Sequence, residues 1–324
     1  MRKIIIDTDL CSDDAAAVLL ALTDENTEVL AITTVSGGVS LAQATKNALM
    51  TCEIVGAEVP VYCGAKKGLF RDPFVTTAIH GTDGMGDCGL IHPLTHAREG
   101  IDACDAILQF VRAHPYEIDL IALAPVTNIG LAILKDRDSM NKLRSITVMG
   151  TAGFGPGNIT PVAEANVFTD AESFDLLLSL DVPTDILGFD LGIGDSAFSE
   201  EELRELEASG APAAVYVAKA GSKLLQHNKK LKGEGMIDIC DGVAMGCYLW
   251  PELVLEKVPC AARVICTGDA YGQVIFYTEQ WQAIMKNVKL AFDFAKNRCN
   301  VFTGIDSAKF KEKVKKALTK ARSS

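Results

Sequence analysis

The chain has 324 residues, 48% of them hydrophobic, which is enough for one large α/β domain or two smaller ones. Its formal net charge of −11 argues against a nucleic acid or an anionic membrane as the partner. No apolar run approaches the roughly eighteen residues of a membrane span, and no cleavable signal precedes the first strand pattern. The ten cysteines include no CxxC pair, so neither a zinc cage nor a disulfide framework is expected. These features predict a cytoplasmic protein.

The first strand and the turn that follows it carry the strongest local signal. Three β-branched residues, Ile4 to Ile6, predict a buried strand of a parallel sheet, and the run from Ala15 to Leu22 predicts a helix packed against it. The carboxylates that gather where this strand becomes the helix are Asp7, Asp9, Asp13 and Asp14. In open α/β sheets, ligands bind at this carboxyl end of the strands.

Carboxylates crowded on one turn repel one another, so the turn needs protons, basic partners or a cation to fold. The nearby basic residues, Arg2 and Lys3, both precede the strand. A hard divalent cation, Ca²⁺ or Mg²⁺, suits such an all-oxygen site. The alternative is that Ser12 or Asp13 caps the helix and Asp14 favours its dipole, but capping explains one or two of these acids at most.

The rest of the chain alternates between strand and helix patterns. The strand patterns cover 27–36, 60–62, 118–123, 145–149 and 184–187, followed by a late antiparallel pair at 263–266 and 273–277. The helix patterns cover 41–55, 101–113, 128–134, 170–180, 200–208, 211–225, a segment that ends at 249, and a Lys-rich terminal stretch over 309–322. This alternation predicts an open, doubly wound, mostly parallel sheet flanked by helices, with a Rossmann-like core. No linker interrupts it, so we expect a single domain over 1–324.

Three further segments carry candidate ligand-binding residues. The stretch 70–93 is rich in glycine and has no periodicity, which predicts a functional loop, and its His80 could bind a substrate or cap a neighbouring carbonyl. Glu164 and Asn166 would point the same way in an extended segment and offer oxygens to ligand hydroxyls, although a solvated loop is the alternative. Asp241 could cap its helix or complete a metal shell.

Several blocks of the sequence together resemble the inosine-uridine preferring nucleoside hydrolase family. They run in family order and comprise Asp7-Thr8-Asp9 with Asp13-Asp14-Ala15, Ala31 to Val35, His80-Gly81, Thr127-Asn128, Val148-Met149-Gly150, and Val162-Ala163-Glu164 with Asn166. The resemblance implies the nucleoside hydrolase fold. It also implies hydrolysis of a ribonucleoside to free base and ribose for purine or pyrimidine salvage, by a homodimer or homotetramer.

The resemblance implies roles for particular residues as well. The implied ligands of one Ca²⁺ are Asp9, Asp14, Asp241 and the backbone carbonyl of Thr127, with Asp9 also the general base. The implied ribose-binding residues are Asp13, Met149, Asn158, Glu164 and Asn166, and His80 matches a histidine at the pocket mouth. The chemistry requires such groups, because an oxocarbenium-like sugar needs a poised water, nearby negative charge and a grip on its hydroxyls.

The chain departs from the family pattern on the leaving-group side. Leu10 and Cys11 stand where many members have proline and glycine, Gly38 where they have asparagine, and Ala165 where an aromatic residue is usual. The histidine that precedes the last metal aspartate, and can serve as leaving-group acid, is Cys240 here. A thiol with an ordinary pKa of about 8.5 is protonated at neutral pH and could donate a proton, but Cys240 could equally be a silent buried thiol.

Two other functions stay open from the sequence. A phosphotransferase of the haloacid dehalogenase type is one, because Asp7 to Leu10 resembles its nucleophile strand. A non-catalytic ribonucleoside-binding protein that keeps the metal is the other. Base preference is not predicted, since the loops expected to contact the base, 70–87 and 227–238, favour neither purine nor pyrimidine.

Overall fold

The computed structural model describes residues 1–73, 75–233, 235–284 and 298–320. The strands in these ranges are β1 (Arg2–Thr8), β2 (Thr27–Thr34), β3 (Val61–Cys63), β4 (Ile118–Ala122), β5 (Ser145–Met149), β6 (Thr184–Leu187), β7 (Phe198–Ser199), β8 (Met236–Ile237), β9 (Val254–Val264), β10 (Val274–Thr278) and β11 (Arg298–Ile305). Nine of them form one sheet in the order β10-β9-β11-β6-β5-β4-β1-β2-β3, while β7 pairs with β8.

Most of this sheet is parallel. The strands from β3 through β2, β1, β4, β5 and β6 to β11 all run in one direction. At the other edge, β9 runs opposite to β11, and β10 pairs with β9 in antiparallel fashion. The order reverses at β1, which lies between β2 and β4, so the crossovers wind away from it on either side. The predicted open, doubly wound, mostly parallel sheet is confirmed.

Helices connect the strands and cover the sheet. They are α1 (Ser12–Thr23), α2 (Leu41–Ile54), α3 (Thr77–His80), α4 (Ala103–Ala113), α5 (Thr127–Lys135), α6 (Arg137–Met140), α7 (Ala165–Thr169), α8 (Ala171–Leu178), α9 (Phe189–Gly192), α10 (Glu200–Ala208), α11 (Pro212–Ala220), α12 (Ser222–Lys232), α13 (Cys240–Leu249), α14 (Glu279–Ile284) and α15 (Ser307–Thr319). None of the described helices is both long and apolar enough to cross a membrane.

The first strand is buried on both faces, because its isoleucines alternate between two hydrophobic clusters. Ile4 and Ile6 pack with residues of α1 and α13, and Ile5 packs with residues of α4 and α5 on the other face. None of the three has any exposed surface. The turn after β1 is therefore anchored in the most enclosed part of the sheet.

The boundaries predicted for the helix over 211–225 are wrong. The structure has two helices there, separated at Gly221, and α12 continues to Lys232 through residues predicted to form a loop. A Cβ at Gly221 would lie 2.8 Å from Cδ1 of Ile237, so the glycine lets the chain pass close to β8. The predicted loop over 70–93 also contains one helical turn, α3.

The late strands also differ from the prediction. β9 begins at Val254, well before the predicted start at 263, and β11 was not predicted at all. The first half of β9 is largely exposed and holds Lys257 and Pro259, which obscures the strand pattern. The terminal Lys-rich helix agrees with α15, where Lys311 and Lys315 pair with Glu202; residues 321 and 322 lie outside the described residues.

Candidate active site

A cavity of about 300 Å³ opens at the carboxyl end of the central strands, where the strand order reverses. This is the place where open α/β sheets bind ligands. The side chains predicted for the site that line it are Asp9, Asp13, Asp14, His80, Met149, Asn158, Glu164, Asn166, Cys240 and Asp241. Thr127, predicted through its backbone carbonyl, is not among the lining residues. It lies at the start of α5, two positions after Pro125, which does line the cavity.

Hydrogen bonds to Asp14 shape the turn after β1. Its Oδ1 accepts from Oγ1 of Thr8 at 2.5 Å, and its Oδ2 accepts from the backbone N–H of Cys11 at 2.9 Å. Leu10 in this turn has a φ of +38°, a left-handed value that is uncommon for a residue with a side chain and closed to proline. Asn47 donates to the Leu10 carbonyl at 2.9 Å and so holds the turn against α2.

Asp7 points away from the cavity, unlike the other carboxylates of the first turn. Its Oδ1 accepts hydrogen bonds from Thr33 at 2.6 Å and from Asn128 at 2.8 Å. Complete burial raises the pKa of Asp7 to about 7, and its Oδ2 has no partner among the described residues. Asp7 therefore joins β1 to the start of α5, next to Thr127, rather than facing a ligand.

The backbone of the loop that follows β2 fixes the position of the Asp9 carboxylate. Gly38 donates its N–H to Oδ2 of Asp9 at 2.5 Å. A Cβ at Gly37 would lie 2.2 Å from the same oxygen, so the backbone comes too close to Asp9 for any side chain at that position.

Carboxylates from distant parts of the chain come together in the cavity. Asp13, Asp14 and Asp241 each offer an oxygen within 4.8 Å of the others, and Asp9, Cys11 and Asp14 form a second such group. Asp241 comes from the first turn of α13, which packs against α1. The contact between these two helices thus brings residue 241 to the acids of the first turn.

These carboxylates are crowded together without a basic side chain beside them among the described lining residues. Burial, with a smaller contribution from neighbouring carboxylates, raises the pKa of Asp9 to about 6 and the pKa values of Asp14 and Asp241 well above their ordinary range. Oδ1 of Asp241 is buried without a hydrogen-bond partner in the described chain, and no Lys or Arg is among the described residues that line the cavity. Buried carboxylate oxygens without basic partners fit a hard divalent cation.

A second group of residues forms the wall above these acids. Glu164 is the N-cap of α7 and accepts backbone N–H groups from Asn166 at 2.9 Å, Val167 at 3.2 Å and Thr151 at 3.3 Å. Nδ2 of Asn166 donates to the Leu123 carbonyl at 3.2 Å. The segment is not extended, the condition under which the two side chains were expected to point the same way, since Asn166 lies in a helical turn. The turn nevertheless places both side chains on the cavity.

Burial raises the pKa of Glu164 to about 7 even though three N–H groups favour its charged form. Asn158 accepts the backbone N–H of Ala165 at 2.9 Å, which ties its loop to the start of α7. Met149 ends β5 and is 5% exposed, with its sulfur 3.5 Å from Nδ2 of Asn166. This wall thus presents the carboxylate of Glu164, the amides of Asn158 and Asn166, and the apolar side chain of Met149 to the cavity.

Two histidines, His80 and His227, line the cavity. Nδ1 of His80, at the end of α3, lies 2.8 Å from Oγ of Ser12. Burial lowers the pKa of His80, as does His227 nearby, while Asp13 acts in the opposite direction. His227 lies on α12, within the segment 227–238 that was expected to contact the base.

The sequence prediction missed several apolar residues that line the cavity, among them Leu224 of α12 and Phe189 of α9. These two residues reach the cavity because their helices pass beside it, and no local sequence motif distinguishes them. Cys240 lines the cavity as a neutral thiol, because burial, and after it Asp13, raises its pKa well above the ordinary value. A Cβ at Gly192 would lie 2.5 Å from its sulfur, so Cys240 also packs against α9.

Comparisons with known proteins agree on one family. The model of the inosine-uridine preferring nucleoside hydrolase family matches residues 4–312. Uridine nucleosidase 1 of Arabidopsis thaliana is 37% identical over 82% of this chain and 80% of its own length. Among solved structures, the plant nucleoside hydrolase PpNRh1 superimposes with a TM-score of 0.90 at 27% identity and covers 99% of both chains. A purine-preferring ribonucleoside hydrolase from Gardnerella vaginalis superimposes with a TM-score of 0.87 at 25% identity over 98% of both.

The family match includes Asp7 to Leu10, the segment that also resembled the nucleophile strand of a haloacid dehalogenase. The nucleoside hydrolase family therefore explains this segment, and a phosphotransferase is not needed to explain it. The match over nearly the whole chain, together with the fold and the relatives, confirms the resemblance seen in the sequence. The chain belongs to the inosine-uridine preferring nucleoside hydrolase family and is a hydrolase of N-glycosyl compounds.

Proposed function

We propose that this protein is a Ca²⁺-dependent ribonucleoside hydrolase that works as one domain and releases free base and ribose. One observation carries the proposal: the buried Asp9, Asp14 and Asp241 carboxylates converge below a wall that presents Glu164 and Asn166. The unpartnered Oδ1 of Asp241 supports a cation at that point.

The cation would be held by Asp9, Asp14, Asp241 and the carbonyl of Thr127, all of them hard oxygen donors. When bound, it would acidify a water and orient the sugar diol. Asp7 contributes indirectly, because its hydrogen bond to Asn128 fixes the first turn of α5 and therefore the Thr127 backbone.

Asp9 is the proposed general base. As the C1′–N bond breaks and the water oxygen bonds to C1′, the Asp9 carboxylate takes a proton from the water. A positioned base of this kind contributes on the order of a hundred- to ten-thousand-fold to the rate. The hydrogen bond from Gly38 keeps the carboxylate aimed, so little reorganisation is needed at the moment of reaction.

The wall residues are proposed to bind the ribose. Asp13, Asn158, Glu164 and Asn166 would accept from or donate to the sugar hydroxyls, and Met149 would lie against the apolar face of the ring. Ionised Glu164 would also stabilise the positive charge that develops on the sugar. Its buried oxygens, held by three N–H groups, are already oriented for this task.

The departing base needs a proton, and two groups could supply it. The neutral thiol of Cys240 is one, and the imidazole of His80 is the other, provided that it is charged. Because the surroundings of His80 lower its pKa, the imidazole is mainly neutral near pH 7 and is the weaker acid candidate. Cys240 is protonated at this pH, but its raised pKa makes the thiol a weak acid, so the variants of both residues decide between the two. The relatives include a uridine nucleosidase and a purine-preferring hydrolase, so the test covers both pyrimidine and purine nucleosides.

The test is release of reducing sugar from inosine, adenosine, guanosine, uridine, cytidine and p-nitrophenyl riboside, with and without prior chelation of Ca²⁺. We expect release from at least one nucleoside, its loss on chelation, and recovery when Ca²⁺ is returned. Tight nucleoside binding without ribose release would favour a binding protein instead. Recovery with Mg²⁺ but not Ca²⁺ would overturn the assignment of the ion.

Two further parts of the proposal have their own measurements. We propose a cytoplasmic enzyme, because all ten cysteines are free thiols in the structure, and cell fractionation tests this. We also propose a homodimer or homotetramer, as the family resemblance implies, and light scattering of the purified protein tests it.

A further inference from the structure

Two cysteines face each other across the antiparallel pair formed by β9 and β11. Cys260 and Cys299 are directly opposed in the strand register, and their sulfurs are 3.6 Å apart. Opposed residues of antiparallel strands have Cα atoms about 4.5 to 5.5 Å apart, which falls within the span that a disulfide bridges. The two thiols can therefore be joined without moving either strand far.

The pair is buried but borders a cavity. Cys260 is 4% exposed and Cys299 5% exposed, and both line a cavity of about 250 Å³ in the described structure. Arg298 and Glu279 also line it, so the cavity is polar enough to admit water-like solutes. The thiol–thiol hydrogen bond lowers the pKa of Cys260, which makes that residue the better nucleophile of the two.

We propose that Cys260 and Cys299 are a reversible redox site that a peroxide converts to an intramolecular disulfide. Cys260 loses its proton, its thiolate attacks one peroxide oxygen, and the O–O bond breaks to leave a sulfenic acid. The departing hydroxide takes the proton that the thiol lost and becomes water. The Cys299 sulfur then attacks the sulfenic sulfur, and its proton leaves with the hydroxyl group as a second water. In sum, two thiols and one hydrogen peroxide give one disulfide and two waters, and an external thiol reverses the change.

The location separates this site from the candidate active site. Asn300, next to Cys299, pairs with Asp185 near the amino end of the parallel strand β6, whereas the ribose-binding wall stands at the carboxyl end. We therefore expect oxidation to leave turnover unchanged. The bond would close the chain between residues 260 and 299, which restricts the unfolded state and raises Tm by roughly 5 °C.

The experiment uses the full chain with Cys88→Ser, because Cys88 is exposed and could form cross-links between molecules. The protein is treated with hydrogen peroxide, alkylated in denaturant and mapped by mass spectrometry, and Tm is measured in parallel. We expect a Cys260–Cys299 peptide that lacks two hydrogen atoms, a higher Tm, and reversal of both by dithiothreitol. Adding Cys260→Ser or Cys299→Ser should abolish the linked peptide and the rise in Tm. The control Cys104→Ser, which changes another buried cysteine, should leave the linked peptide and the rise in Tm unchanged.

The mass-spectrometric mapping of the protein that keeps Cys260 and Cys299 tests the proposal even if a serine variant fails to fold. Full alkylation of Cys260 and Cys299 after peroxide would overturn the proposal, as would sulfinic acid at either residue without a disulfide. A Tm that rises equally in the serine variants would overturn it as well.

Discussion

Gly38 donates its backbone N–H to Oδ2 of Asp9 at 2.5 Å, and Gly37 leaves no space for a side chain beside the same oxygen. The loop after β2 thus orients the proposed base, although the base itself follows β1. Two glycines that carry no functional group become positioning residues through this contact.

Gly37→Ala should displace the Asp9 carboxylate, because its new Cβ would lie 2.2 Å from Oδ2. We expect kcat to fall by roughly ten- to a hundred-fold with a smaller change in KM, as is typical when a catalytic group is misplaced. Steady-state kinetics measure this. The control is Gly304→Ala, whose Cβ would meet its nearest neighbour at an ordinary 3.4 Å. Wild-type kcat in Gly37→Ala would contradict the positioning role.

Asp9→Asn preserves the shape of the proposed base but removes its ability to accept a proton. We expect kcat to fall by on the order of a hundred- to ten-thousand-fold, with the fold retained. Kinetics and circular dichroism together measure this, and Asp195→Asn at an exposed position serves as control. Retention of more than a tenth of the wild-type kcat in a folded Asp9→Asn protein would remove Asp9 from the base role.

Cys240→Ser tests the leaving-group acid. A hydroxyl is a poorer acid than a thiol, so hydrolysis of natural nucleosides should slow, whereas p-nitrophenyl riboside, whose leaving group needs no proton, should be affected far less. The ratio of the two kcat/KM values is the readout. His80→Gln gives the matched comparison in the same cavity. If both substrates slow equally in Cys240→Ser, or if only His80→Gln changes the ratio, the acid is not Cys240.

The stability of the Ca²⁺-free protein should fall as the pH rises from about 5 to 8. Burial raises the pKa of Asp9 to about 6 and that of Glu164 to about 7, while unfolded carboxyls titrate near 4. Because the folded state binds these protons more tightly, their stabilising effect is complete below pH 4 and is lost as pH passes through 6 to 7.

The proposed Ca²⁺ would take the place of the proton at Asp9, so the difference in Tm with and without Ca²⁺ should widen over the same pH range. Thermal melts at several pH values with chelator or Ca²⁺ measure this. Asp241→Asn, which removes one carboxylate from the cluster, should narrow the difference. A Tm difference that is constant from pH 5 to 8 would contradict a cation on buried carboxylates.

The sequence predicted those parts of the fold in which the local hydrophobic pattern of a segment matches its burial in the folded protein. The isoleucines of β1 are continuous because both faces are buried, and the acids that follow lie where parallel strands end. Asp241 is different, because the family resemblance rather than a local pattern grouped it with Asp9 and Asp14, and all three line the same cavity.

The remaining features depend on contacts that no local pattern encodes. β9 alternates poorly because half of it is exposed, and the break at Gly221 reflects a close approach to Ile237. Asp7 has the same residue type as Asp9 but faces Asn128, a partner that the sequence places in another element. In a continuing strand Asp7 and Asp9, two residues apart, would share one face. β1 ends at Thr8, so Asp9 lies in the turn that follows and lines the cavity, whereas Asp7 stays in the strand and faces Asn128.

The position of Asp241 on α13 has a consequence for biosynthesis. The acids of the first turn leave the ribosome early, but the last carboxylate of the cluster follows them after more than two thirds of the chain. The N-terminal turn alone offers an incomplete ligand set, so we expect a nascent chain to capture the cation only after α13 has docked on α1. Cation uptake would then report the completion of the fold, and a chain truncated before residue 240 would lack high-affinity binding.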